Sequence, residues 1–407
     1  MASRIFAIAV IFVLTTVAWV VLGSVTEGRT RSTYRDLAGR VSELWGAPHV
    51  QEAPRAVYRV EAVLEGASKG EEDAKESKTT VTEVDVPLES SHITVDLNLE
   101  QRRKGLLWYN TYNVDFDGSY TLKNTTGQPR EFTVFFKFPT AEAIYDDFVF
   151  EINGQAPRTL SAMESDMSAR VFIPDGGIAF IRVAYKSRGM DSWTYSFGQG
   201  VPQVKNFQLV MNTNFDAIDF PPRSISPGIK EKTPEGYRLT WKHENLISGF
   251  QVGMIMPEKL NPGPLASQIS FFAPVSLLFF FFVIFVLSVI KGVRIHPMNY
   301  FFLAAAFFAF HLLFAYLVDH IDIHVAFIIA SAVSIGLVVS YLRLVVGMRF
   351  ALVEAGLSQF IYLVLFSYAH FFRGLTGLTV TIGAILTLFV MMQVTGRIDW
   401  EEKFQAR

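Results

Sequence analysis

Few side chains in this sequence are of types and spacings that could do chemistry, and most of them gather near its C-terminal end. The densest cluster is Asp319, His320, Asp322 and His324. Imidazole and carboxylate in that mixture suit a divalent transition metal. A polar turn between two apolar runs needs the same residues merely to stop one helix and start the next, and that plainer reading is preferred here. His311 and Gln359 lie inside apolar runs. A charged group at such a depth costs on the order of 3 kcal/mol, so His311 is expected to face a bundle interior, either as a functional group or as a neutral imidazole bonded to a neighbouring helix. Gln359 reads as inter-helix glue. Glu354, near the end of its run, is expected to pair with Arg349 or Arg343.

The familiar catalytic patterns are missing. The sequence holds no G-x-S-x-G, Walker A loop, G-x-G-x-x-G or H-E-x-x-H, and the adjacent His243 and Glu244 are followed by Asn245, Leu246 and Ile247 rather than by the rest of a zincin motif. Without any Cys there is no disulfide, thiol nucleophile, Cys-based metal site or Cys-linked lipid anchor. A net charge of −2 offers no basic surplus for nucleic acid, and no nucleic-acid module is present. The expectation is a protein that is not an enzyme and carries no cofactor.

Half of the residues are hydrophobic and 37 are Phe. Five long apolar runs account for much of this: Ile269 to Ile290, Met298 to Val318, Val325 to Val346, Phe350 to Phe371 and Leu375 to Val394. Each approaches the ~20 residues that an α-helix needs to cross a bilayer. A sixth run, Ile5 to Gly23, is longer than the ~7–15 residues of a signal-peptide h-region, so a retained anchor is favoured over a cleaved signal. Short-loop charges then set a direction: Lys291, Arg294, Arg343, Arg349 and the tail with Arg397, Lys403 and Arg407 fall on one side, Asp319 and Asp322 on the other, and only Arg373 breaks the pattern. Both termini are expected in the cytoplasm. Small residues of the last run, Gly374, Gly377 and Gly383, permit close packing within one chain or in a homo-oligomer.

Between the first run and the other five, the period changes. From Thr30 to Trp45 the residues Tyr34, Leu37, Val41, Leu44 and Trp45 share one helical face, predicting an amphipathic stalk helix that packs on its own ectodomain and is stopped by Gly46 and Pro48. From Arg55 to Pro257 alternation of period two takes over. Tyr112, Val114, Phe116, Tyr120 and Leu122 form one row, and Phe132, Val134, Phe136 and Phe138 another after a turn over Asn124 to Pro129. Ile178 to Tyr185 and Ser192 to Phe197 read as a pair joined by a turn at Ser187, Arg188 and Gly189. Further rows contain Phe207, Tyr237 and Val252. This predicts antiparallel β-sandwich architecture, as one large domain or two small ones, with the charged segment from Glu65 to Lys78 as a loop.

At the membrane runs the residues begin to resemble a known family. Arg294, Ile295, His296, Pro297, Met298, Asn299 and Tyr300 at the start of one run, and Arg397, Ile398, Asp399 and Trp400 at the end of the last, are similar to the CreD inner-membrane proteins. Asp319 and His320, Ala326 to Ser331, Tyr341 and Leu342 continue the likeness, as do Tyr34, Arg35 and Glu100 to Lys104 upstream. The ectodomain departs in its strand spacing and in the insertion near Lys69 to Lys78. The resemblance implies a bacterial inner-membrane protein with a periplasmic domain, linked to envelope integrity and stress and regulated with a two-component system; it supplies no catalytic residue.

The expected organisation is therefore a six-helix membrane bundle, one N-terminal and five C-terminal helices, with an inserted all-β sandwich-like periplasmic domain. Its parts are an anchor over 1–24, a stalk over 25–48, the β domain over 49–265, the helical module over 266–396 and a cytoplasmic tail over 397–407. The expected role is binding or scaffolding, with membrane lipids and a periplasmic protein or envelope ligand as partners. An ion-coupled transporter using His311 and the 319–324 turn, and a metal-dependent membrane enzyme, are the alternatives.

Overall fold

A computed structural model describes residues 2–64, 78–104, 107–141, 143–157, 160–162, 166–198, 203–372, 374–396 and 398, apart from the side chains of 2, 33–44, 61–64, 78–81 and 160–162. Most of the charged loop expected from Glu65 to Lys78 lies outside these residues, as do Arg373, Arg397, Asp399 and Trp400. The chain divides into two compact units. One comprises Met1–Asp36, Gly105–Leu107 and Leu260–Arg407; the other comprises Leu37–Lys104 and Trp108–Lys259.

Six helices among the described residues are long and apolar enough to cross a membrane. Helix α1 (Ala2–Trp45) runs on unbroken past Gly23 and Gly28. It is followed by α2 (Pro262–Ile290), α3 (Pro297–Leu317), α4 (Ile323–Val346), α5 (Phe350–Phe371) and α6 (Thr376–Thr395). Helix α2 starts earlier than the apolar run that predicts it, because Pro262 with its fixed φ opens a helix well and has no amide hydrogen to lose there. Helices α1 and α2 lie antiparallel. Arg4 sits over Phe285 at one end, Ser267 donates to the Gly23 carbonyl at 3.0 Å further along, and Gly263 packs on Thr30 beyond that. Gly23 is required in the middle of this seam, since a Cβ there would come within 2.9 Å of the Phe271 ring.

Tight packing, not hydrophobicity, must hold such a bundle together, because lipid tails are as apolar as its side chains. Trp19 is fully buried among α3 aromatics, edge-on to Phe308 at 5.4 Å and Phe307 at 6.3 Å. Helix α5 is widened over Phe350–Gly356 and Phe360–Leu365, where the backbone bonds follow π-helical spacing. Gln359 lies between these two segments.

In the second unit, a seven-stranded sheet runs in the order Ile229–Lys232, Tyr237–Ile247, Gln203–Thr213, Ser90–Leu99, Thr111–Lys123, Ile178–Met190 and Tyr145–Ile152. A five-stranded sheet has the order Leu160–Ala162, Asp166–Ile173, Arg130–Lys137, Arg55–Leu64 and Lys78–Val86. Their buried residues belong to one cluster, in which Phe136 of the second sheet meets Tyr185 and Phe150 of the first at 6.5 Å. The alternation that predicts the strands survives as burial: along Thr111–Lys123 every even-numbered residue from Tyr112 to Leu122 is buried. The pairing is not purely antiparallel. Gln203–Thr213 lies parallel to Ser90–Leu99, and His49–Glu52 parallel to Ser192–Ser196. The first pair is separated by more than a hundred residues of sequence, so a long crossover leaves the relative direction unconstrained.

The turn expected at Ser187 to Gly189 is absent. Ile178–Met190 is one strand, paired to Thr111–Lys123 along its whole length. Gly189 serves packing instead of turning, because any Cβ there would collide with the Tyr112 ring. The chain breaks two residues later at Asp191, whose φ of 65° suits Asp better than a branched residue. Ser192–Ser196 then leaves for a three-stranded sheet with His49–Glu52 and Val252–Ile255. Trp45, the last residue of α1, is held between the guanidinium groups of Arg102 (3.6 Å) and Arg188 (4.7 Å).

Candidate functional site

The sequence-predicted candidates do not converge on one centre. Asp319 pairs with Arg29 of α1 at 2.9 Å, and Arg29 also donates to the Ala315 carbonyl at 3.1 Å. Asp322 caps α4 by accepting from the amides of His324 (2.9 Å) and Val325 (3.3 Å). The His324 ring stacks on Phe371 at 5.0 Å, while His320 is exposed. Among the described residues no group of three or more His, Asp or Glu is placed to hold a metal ion. The turn between α3 and α4 thus spends its carboxylates on an ion pair and a cap.

At the other end of the bundle, His296 caps α3 by accepting from the Met298 amide at 3.2 Å, and Pro297 takes the first helical position. Arg294 is exposed. Glu354 pairs with Lys291 at 3.2 Å and not with Arg343 or Arg349. Helix α5 brings it back against the end of α2, where it is 11% exposed.

The buried polar groups of the interior form the candidate site. Gln359, fully buried, donates through Nε2 to Ser334 Oγ at 2.7 Å, and Ser334 donates to the Ala306 carbonyl at 2.6 Å. One amide therefore ties α5 through α4 to α3, the glue expected of it. His311 is 1% exposed on α3. Its Nδ1 faces the Phe307 carbonyl at 3.0 Å, which fixes Nδ1 as the donor and leaves Nε2 an acceptor without a partner. Trp19 (5.8 Å) and Phe310 (4.9 Å) stand edge-on to the ring, and Phe307 stacks on it. Unpartnered polar atoms recur nearby in the bundle: Trp19 Nε1, Ser276 Oγ, Gln359 Oε1 and His370 Nδ1. Reasoning from sequence missed Trp19 and Ser334. A lone Trp halfway along an anchor run, and Ser at the spacing of an interior face, are the signals that would have found them.

Because Nε2 of His311 gains nothing from its surroundings, His311→Phe is expected to leave the bundle as stable as before or slightly more so, whereas Gln359→Leu removes a made bond and lowers stability by about 0.6–1.7 kcal/mol. Thermal midpoints of the purified chain in detergent measure both. A His311→Phe midpoint well below that of Gln359→Leu would show that the imidazole makes a bond the geometry does not contain.

Among its described residues the β unit has an opening with a volume of about 800 Å³. Its floor includes Ala56, Leu88, Tyr195 and Phe197, and its rim carries Arg55, Asp85 and Gln203. Arg55 and Asp85 form an exposed ion pair across that rim. An apolar floor with a few polar groups above it is the usual form of a binding cleft.

Six apolar helices, with a large β domain between the first and the other five, define a multi-pass membrane protein with an inserted β domain. Residues 225–401 match the model of the family described as inner membrane protein CreD, the family that the motifs at Arg294 to Tyr300 and Arg397 to Trp400 resemble. That stretch is less than half of the chain and holds its last strands and the five C-terminal helices. No curated protein matches the chain. Among solved structures it is similar to the crystal structure of a candidate nutrient binding protein from Legionella pneumophila, at 12% identity, covering 47% of this chain and 74% of that one with a TM-score of 0.30. So slight a likeness bears on neither fold nor function.

Proposed function

We propose that the chain is a non-enzymatic protein of the bacterial inner membrane with a role in envelope integrity. In this reading both termini are cytoplasmic, and a two-layer β-sandwich in the periplasm binds a protein or envelope ligand through the cleft between Arg55 and Gln203. The observation that carries it is the division of polar resources. In the helical unit the buried Gln359 and Ser334 tie three helices together, while the β unit keeps an open cleft with an apolar floor. Orientation rests on the loop charges, and the envelope role rests on the family matched by the C-terminal part.

The test is rescue of envelope behaviour in cells lacking the gene. Gln203→Trp, which fills the cleft from an exposed position, is expected to abolish rescue at unchanged protein level, and His311→Phe to leave it intact. The opposite result would move function into the membrane. It would favour the ion-coupled reading, now narrowed to His311 because Asp319 and Asp322 are already engaged.

A further inference from the structure

Arg4 carries a charge that nothing among the described residues neutralises. A guanidinium stays protonated at any pH a protein meets, so it cannot shed its charge when buried. Its Nε and Nη2 have no solvent exposure and no hydrogen-bond partner, and no described carboxylate lies within ion-pair distance. It sits 5.8 Å over the Phe285 ring and interacts electrostatically with the buried phenol of Tyr300, which also faces Ser288. The neighbouring cation Lys291 is taken by Glu354, whereas Arg294 of the same turn is exposed and forms no ion pair among the described residues. Among the described residues this leaves Arg4 as a cation without a carboxylate partner, a place suited to an anion.

An apolar groove opens beside this group. Ile5, Ile8 and Phe12 of α1 face Phe281 and Phe285 of α2, and Thr395 closes one side, around a volume of about 520 Å³. That falls within the ~300–1,000 Å³ usual for bound small molecules. Free phosphate has no use for such a groove, and an uncharged acyl chain has none for Arg4. We propose that one anionic glycerophospholipid docks here, its phosphate at the partly exposed Arg4 side chain and one acyl chain along the α1–α2 seam. Basic pockets between membrane helices hold anionic headgroups in this way.

The full-length chain, purified in mild detergent, is incubated with phosphatidylglycerol or phosphatidylethanolamine of the same acyl composition and examined by native mass spectrometry. One phosphatidylglycerol per chain should be retained in preference to phosphatidylethanolamine. Arg4→Gln should weaken retention about tenfold or more, as loss of a charge-assisted bond implies. Ile8→Trp, which fills the groove and leaves the charge, should weaken it too. Arg4→Lys should retain part of the affinity. Equal retention of the two lipids, or an Arg4→Gln protein that keeps its phosphatidylglycerol while remaining monodisperse, would overturn the assignment; loss in Arg4→Gln without loss in Ile8→Trp would remove the acyl groove from it.

Discussion

Trp19→Ala is expected to be among the most damaging single changes in the helical unit, lowering its stability by about 3–5 kcal/mol, the range for truncating a large aromatic in a packed core. Trp19 is fully buried, with Phe307, Phe308 and His311 around it, and joins Leu22 in the core of the bundle. Phe6→Ala, at a position 71% exposed, should change little, because lipid replaces the lost contacts. Asp319→Asn should cost under about 1 kcal/mol, since its partner Arg29 is 39% exposed and an exposed pair is screened. Thermal and SDS unfolding of the detergent-purified chain rank the three. A Trp19→Ala protein as stable as its parent would mean that α1 is a tether and not part of the bundle. The same contacts predict that the anchor is kept, so the intact mass of the purified protein should include Arg4 to Gly23; a shorter mass would show that the segment is removed despite its packing.

Much of the helical unit was legible because membrane helices obey one strong rule, that every backbone polar group must be satisfied within the segment. Hydropathy alone therefore places several runs to within a turn or so, as at Met298 to Val318 against Pro297–Leu317, though α2 begins about two turns before its run and α1 continues far past Gly23. What it does not give is partners. Glu354 has basic residues close in sequence at Arg349 and Arg343, but the fold brings Lys291 from another helix. Asp319 reads as part of a polar turn between helices, and Arg29, nearly three hundred residues earlier, is the partner that sequence does not name. The pairing expected for Glu354 weighs neighbours in sequence above neighbours in space. Gly383 was read as a small residue for close packing, and it lies against the Phe366 ring, where a Cβ would come within 2.7 Å. Gly374 and Gly377 have open space instead.

In the β unit, alternation located strands whose inner faces are large and aromatic, such as Phe132 to Phe138. Quieter ones went unread. Ser90–Leu99 buries Ser91, Ile93, Val95 and Leu97 and stands at the centre of the seven-stranded sheet, yet its outward His92, Thr94 and Asp96 dilute the pattern. Tyr145–Ile152 and Asp166–Ile173 escaped for a similar reason, with less regular burial along them. Gly189 misled because glycine is the usual mark of a turn, whereas here it makes room for Tyr112 in mid-strand. Period two says which face a residue shares; it does not say which strand lies alongside, and so the parallel pairs were invisible.

His49 was passed over for want of any motif, yet it should make the β unit sensitive to acid. It lies fully buried in the strand His49–Glu52, edge-on to Tyr112 at 5.8 Å and stacked on Tyr145 at 6.4 Å. Burial pushes its imidazole down from 6.5 to about 4, while the facing Arg188 carbonyl pulls weakly the other way. The two tyrosines stay uncharged in acid and so offset none of the cost of a proton there. Below pH 6.5 the unfolded chain takes up a proton that the folded one refuses, so stability is full above 6.5 and declines as pH falls towards 4. The slope approaches about 1.4 kcal/mol per pH unit, and the total is about 3 kcal/mol, levelling off below the folded value. Urea titrations of the full-length chain followed by tryptophan fluorescence at pH 7.0, 5.5 and 4.0 measure it. His49→Leu, which fills the space without a titrating group, should remove most of that decline. If parent and variant lose stability in parallel, the acid sensitivity lies with the carboxylates of the surface ion pairs and not with His49.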